Sequence, residues 1–126
     1  MQKIITVLLV IVGFIHIMPL SGVLGAEQLF SLYGLSFEES NISILMRHRA
    51  ILFGVFGLFF LYSAFNRQYQ PLAFTAGFIS VISFIVLSWS TGNYNTAIHK
   101  VVVADIIAFV CLLSAVVLFI LSNRKS

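Results

Sequence analysis

Charge is what this sequence has least of. Only 9% of its residues are charged, with seven Lys or Arg against four Asp or Glu. A soluble domain carries about 25% charged residues, so these are too few to clothe a water-facing surface, and a soluble globular domain is excluded. Cys111 is the single cysteine, which rules out a disulfide within the chain. It lies in an apolar run and reads as packing. Proline occurs twice, at Pro19 and Pro71, so long helices can run unbroken. The three histidines, His16, His48 and His99, sit on three separate stretches with no close His/Cys spacing, so no metal site is expected. The formal charge of +3 comes from scattered residues, which argues against a nucleic-acid partner.

What the sequence does have is apolar length: 60% of its 126 residues are hydrophobic. Four runs, at about residues 4–24, 42–65, 71–91 and 97–121, each approach the roughly 20 residues that cross a bilayer. They predict an all-α fold, an integral membrane four-helix bundle with antiparallel helices, forming a single domain over residues 1–126. Lys3, the apolar stretch Ile4–Ile15 and the small pair Gly25-Ala26 also have the look of a signal peptide. The run continues past His16 to Leu24, which favours a retained first helix. Pro19 is expected to bend or end it. Gly25–Ser40 is the longest polar-leaning connection and holds Glu27, Glu38 and Glu39. It predicts a short interfacial helix over Ala26–Tyr33 stopped by Gly34, then a capping box at Ser36–Glu39. Short turns at Asn66–Gln70 and Gly92–Asn95 make their flanking helices antiparallel neighbours. Lys3, Arg67, Arg124 and Lys125 collect on one side, which is read as cytoplasmic, with both termini there, in a bacterial inner membrane. Tyr33, Trp89 and Tyr94 on the far side, and Tyr62 and Tyr69 on the near side, suit aromatic belts.

The chemistry must come from the few polar groups inside the spans. Arg47, His48 and Arg49 stand together in the second run, Asp105 is the only acid inside any run, and His16 lies in the first. At about 1.5 Å per helical residue, Arg47, Arg49, Asp105 and His16 share the outer half of the bundle. Ala50, Gly54, Gly57 and Ala64 form a stripe of small residues, the mark of helix contacts in membranes, and Arg47 borders it. Arg49 stands over Phe53, Phe56 and Phe60, read as a lipid-facing ridge from which it snorkels outward. Asp105 shares a face with Val101, Ala108, Leu112 and Ala115. Ala73, Gly77, Ser80 and Ser88 form the matching stripe of the third run, and Gly13 accompanies His16 in the first. The expected interior therefore holds His16, Arg47, Ser88 and Asp105 as ligand-binding residues, with His48 and Arg49 as secondary candidates. Arg47 and Asp105 are expected to be direct partners, either as a structural pair that fixes register or as part of a binding site. His99 and Lys100 read as a solvated flank.

Arg47-His48-Arg49-Ala50-x-Leu52-Phe53-Gly54, preceded by Asn41-x-x-Ile44-Leu45, resembles the second-helix signature of small bacterial four-helix membrane proteins. With Gly13, Gly22-x-x-Gly25 and Leu32-Tyr33-Gly34, the chain looks like the DUF4345 group and, more loosely, DoxX-like proteins. That resemblance implies a compact four-helix bundle and, through the DoxX-like proteins, a quinone-linked redox accessory role. Similar chains also carry the name phosphopantetheine adenylyltransferase. That activity needs an α/β fold and an H-x-G-H motif, and this sequence has neither. The residues favour a binding module for a small or lipid-like ligand in an outer-half polar pocket, without catalysis. The alternatives are a quinone-linked enzyme and a purely structural partner subunit. No fixed cofactor is expected, a quinone or lipid being the ligand class that fits. The expected partners are membrane lipids, together with another copy of the chain or a second membrane protein.

Overall fold

In lipid a backbone must satisfy its own hydrogen bonds, so uninterrupted apolar stretches become helices. The computed structural model describes residues 2–20, 30, 32–33 and 40–125. Its long helices are α1 (Gln2–Ile17), α2 (Ser40–Ala64), α3 (Gln70–Thr91) and α4 (Thr96–Lys125), and no strand occurs among the described residues. Four segments, Gln2–Leu20, Ser40–Ala64, Arg67–Thr91 and Thr96–Arg124, are long and apolar enough to cross a membrane. The fold is an all-α bundle of the kind expected, and the chain is a small membrane protein. Its outward surface is apolar, with Phe14, Leu58, Leu72, Leu87 and Val110 all exposed, as lipid requires.

Local chemistry sets the helix ends. α1 stops at Ile17 and tightens into a 3₁₀ turn over residues 18–20, where Pro19 cannot donate the next helical hydrogen bond. Pro71 sits in the first turn of α3, where a missing N–H costs nothing. Gly92 caps the other end of α3 at φ 67° and ψ −178°, a backbone region essentially reserved for glycine, and its N–H donates to Ser88 O. Asn95 caps α4 by accepting the Ile98 N–H at 2.8 Å. Phe30, Leu32 and Tyr33 are helical. The rest of the expected interfacial helix, the Ser36–Glu39 capping box, Gly34 and the Gly25-Ala26 pair lie outside the described residues.

Glycine sets how the helices meet. α1 packs most extensively on α2 and then on α4, while α3 packs on α4. Gly13 and Gly57 bring α1 and α2 almost backbone to backbone: a Cβ on Gly57 would lie 2.8 Å from Gly13 O and 3.0 Å from Ile17 N. Gly77 makes the same allowance for Leu112 of α4. Ile5, Leu9, Val12, Phe60, Ala73, Ala108 and Leu112 form the core between these faces. One expectation fails here. Although a short turn joins them, α2 and α3 barely touch. Phe53, Phe56 and Phe84 line a hollow between them.

At the end where α1 begins, Arg67 ties three elements together. It donates to Gln2 Oε1 at 2.8 Å and to Asn123 Oδ1, and stacks 4.5 Å from the Phe119 ring centroid. Gln70 is fully buried beneath it and donates to Ser63 O at 3.1 Å. The opposite end holds Pro19, Tyr33 and Asn95, and the polar interior lies there.

Candidate functional site

Tyr33 organises this end. It is 5% exposed and packs among Leu32, Met46, Ile98 and Val101. Its carbonyl accepts from Asn95 Nδ2 at 2.7 Å, so the residue that caps α4 also clamps Tyr33 in place. Its hydroxyl accepts from Arg49 Nη1 at 2.9 Å. The Arg49 guanidinium lies 4.6 Å from the Phe53 ring centroid and 5.6 Å from that of Tyr33. Arg49 is thus held by one charge-assisted hydrogen bond and by aromatic faces, which attract a desolvated cation.

His16 is 2% exposed at the floor of this end. Its Nδ1 is 3.0 Å from Val12 O, which can only accept, so Nδ1 carries a proton. Its Nε2 is 3.0 Å from Ser80 Oγ, a hydrogen bond that joins α1 to α3. The ring packs edge-on against Phe60, with centroids 4.7 Å apart. Both ring nitrogens are therefore satisfied within the protein.

Between these groups lies a cavity of about 280 Å³. Among the described residues its polar lining is His16, Tyr33, Arg49, Lys100 and Asp105, and its apolar lining includes Ile15, Phe53, Phe84 and Val101. Asp105 is half-buried, and Arg49 and Lys100 are the cations that line the cavity with it. Among the described residues Asp105 and Arg49 are not in hydrogen-bond contact, because the guanidinium is committed to Tyr33 and Phe53. A second hollow of about 490 Å³ follows the α2–α3 seam and shares Arg49, Phe53 and Phe84 with the first.

The cavity therefore gathers His16 and Asp105, two of the four expected ligand residues. Arg47 is exposed and is not part of the lining, so Arg49 replaces it as the cation facing Asp105. The physical reason lies in what a small-residue stripe reports. It marks where two backbones approach, here α1 on α2, and not which way the interior lies. Arg47 and Arg49 flank that stripe on opposite sides, and the interior is on the side of Phe53 and Phe60. Phe60 is fully buried and Phe53 half-buried, so that part of the ridge read as facing lipid faces inward, while Phe56 is exposed as expected. Ser88 is buried close to the α3 cap, away from the lining, and His48 is exposed. His99 is also exposed and stacks on Tyr94.

Three contributors escaped the sequence reading. Tyr33, placed in an aromatic belt, is instead buried. Lys100, read as a solvated flank, is exposed as that reading has it and also lines the cavity. Ser80, seen only as a small residue, is the partner of His16. Lys100 had a visible signal: Ala97, Val101, Ala104 and Asp105 follow helical spacing along one face of α4, and Lys100 borders it. Tyr33 had none, because its contact with Arg49 crosses from outside the long helices. No family model matches the chain, and no curated protein or solved structure matches it either.

Proposed function

We propose that this protein is a membrane binding module whose polar cavity takes the head of a small or lipid-like ligand. One observation carries this reading: among the described residues, five polar side chains, Arg49, Lys100 and Asp105 among them, line a single 280 Å³ hollow. Polar groups are expensive at such depth and are usually retained for a task. Arg49 meets an anionic or carbonyl oxygen, Lys100 adds a second cation at the rim, and the Tyr33 hydroxyl adds a hydrogen-bonding group. Asp105 balances the charge. His16, with both nitrogens occupied, braces α1 against α3. That closed geometry favours a second reading, in which the polar cluster serves only to hold the helices in register. The DoxX-like resemblance adds a quinone as a further ligand candidate, the head again meeting Arg49. The membrane proposed is a bacterial inner membrane with both termini cytoplasmic, supported by Lys3, Arg67 and Arg124 at one end of the bundle.

Native mass spectrometry of the purified chain tests the binding reading. The wild-type protein should retain a co-purifying small molecule that Arg49→Met releases. A wild-type protein that carries none, and takes up none from added lipids or quinones, would leave the register-fixing role standing.

A further inference from the structure

We propose that the α2–α3 seam is a side entrance for a membrane phospholipid, with its phosphate between Arg49 and Lys100 and one acyl chain lying along the seam. This rests on the binding reading above and names the ligand class. The seam and the cavity share Arg49, Phe53 and Phe84, so the two hollows meet at a partition made of three side chains. Both hollows are mostly apolar, but among the described residues Lys100 and Asp105 line the cavity alone, whereas the seam beyond Arg49 is walled by Leu52, Phe56, Ala76 and Ile79, with Ser80 and Ser83 as its polar exceptions. An amphipathic molecule matches that order, head in one hollow and tail in the other.

Direction agrees as well. The seam follows α3 from Leu87, near the Tyr33 end, to Ala76, about 16 Å along the helix axis at 1.5 Å per residue. That is close to half of a hydrocarbon core roughly 30 Å thick. A tail starting at Arg49 therefore points toward the bilayer centre, as the tails of its own leaflet do. At 490 Å³ the seam falls in the roughly 300–1,000 Å³ range of ligand sites.

The charge of the lining selects the head. Among the described residues of the lining, Arg49 and Lys100 carry two positive charges, and an ionised Asp105 sets one negative charge against them. A phosphodiester monoanion, such as the head of phosphatidylglycerol, neutralises that sum. A dianionic phosphomonoester overcharges it, and a zwitterion leaves it unbalanced. Asp105 is then the residue that sets the preference for a single negative charge.

The test uses the full-length chain in detergent, with binding read by native mass spectrometry. The probes are dioleoyl-phosphatidylglycerol and dihexanoyl-phosphatidylglycerol, which share a head and differ in tail length. Dioleoyl-phosphatidylethanolamine and dioleoyl-phosphatidic acid vary the head. Ala76→Trp plugs the seam and should weaken the long-chain phosphatidylglycerol roughly tenfold, leaving the short-chain lipid within about twofold. Arg49→Met should weaken both by roughly tenfold or more. Asp105→Asn should turn the preference from phosphatidylglycerol toward phosphatidic acid. In case Ala76→Trp does not fold, a photoreactive residue at exposed Ile79 should label the long-chain lipid more than one at exposed Ile107 on α4.

If Ala76→Trp and the Ile79 label leave the long-chain lipid untouched while Arg49→Met weakens both lipids, the seam proposal falls and the cavity reading stands. If no variant changes any lipid, both fall. A wild-type preference for phosphatidylethanolamine overturns the phosphodiester-monoanion assignment. An Ala76→Trp protein that loses a second copy of the chain instead of a lipid shows the seam to be a protein interface, and overturns the proposal.

Discussion

Arg47 and Arg49 are almost adjacent in sequence, yet the helix gives them different surroundings. Arg49 is half-buried, bonded to the Tyr33 hydroxyl and stacked on Phe53. Arg47 is exposed. Hydrogen bonds to a charged group contribute about 1.5–3 kcal/mol. Arg49→Ala should therefore lower the unfolding free energy in a detergent titration by about that amount. Arg47→Ala should stay within about 1 kcal/mol, as interactions of exposed charges do. Equal losses would mean that Arg49 is not held as described. Ser80 supplies a smaller, separable contribution. Ser80→Ala removes the partner of His16 Nε2 and should cost roughly 0.6–1.7 kcal/mol, the scale of hydrogen bonds between membrane helices. A loss in that range that disappears in a His16→Phe background would confirm the pairing by a double-mutant cycle.

The elements are governed by two glycine sites that a substitution would treat differently. At Gly57 a new Cβ would run into Ile17 Cγ1 and meet the backbone of α1 at 2.8 and 3.0 Å. Backbone does not yield as a flexible side chain does. Gly57→Ala should separate α1 from α2 and cost about 1–3 kcal/mol by overpacking. At Gly92 the added Cβ has open space around it, but φ 67° with ψ −178° strains any other residue. Gly92→Ala should cost a similar 1–3 kcal/mol through the backbone alone, without disturbing the α1–α2 contact. Crosslinking between α1 and α2 distinguishes the two variants, falling for Gly57→Ala only. This is also the scale at which the sequence was most legible. The stripes Ala50–Gly54–Gly57–Ala64 and Ala108–Leu112–Ala115 are buried as their spacing implied. Pro19, Pro71 and Gly92 sit at helix ends. The choice between Arg47 and Arg49 was not legible, because Phe53 and Phe60 are equally at home against lipid and inside the bundle. Periodicity in a membrane helix separates small from large residues; it does not separate outside from inside.

In the whole molecule, the helices are not arranged as the short connections suggest. α1 sits between α2 and α4, α3 leans on α4, and the α2–α3 side is left open. Chain order concealed this, since a tight turn between α2 and α3 implies close contact, whereas a hollow lined by Phe53, Phe56 and Phe84 lies between them. Removing α4 should therefore be worse than removing an end helix usually is, for it strips α3 of its main support. A chain stopped after Asn93 should be cleared rapidly from the membrane, and co-expression of residues 94–126 should restore its abundance. Survival of the shorter chain alone would show that α2 and α3 can pair after all.

The position of α1 also has a consequence in time. It is the first of the four helices to leave the ribosome, and one of its two partners, α4, is the last. From its insertion until α4 has been made, the face of α1 carrying part of Ile5, Leu9 and Val12 waits in lipid without its neighbour. Closure of the bundle is thus tied to the synthesis of α4, and a ribosome that stalls before α4 is made leaves an inserted protein open along α1 as well as along its seam.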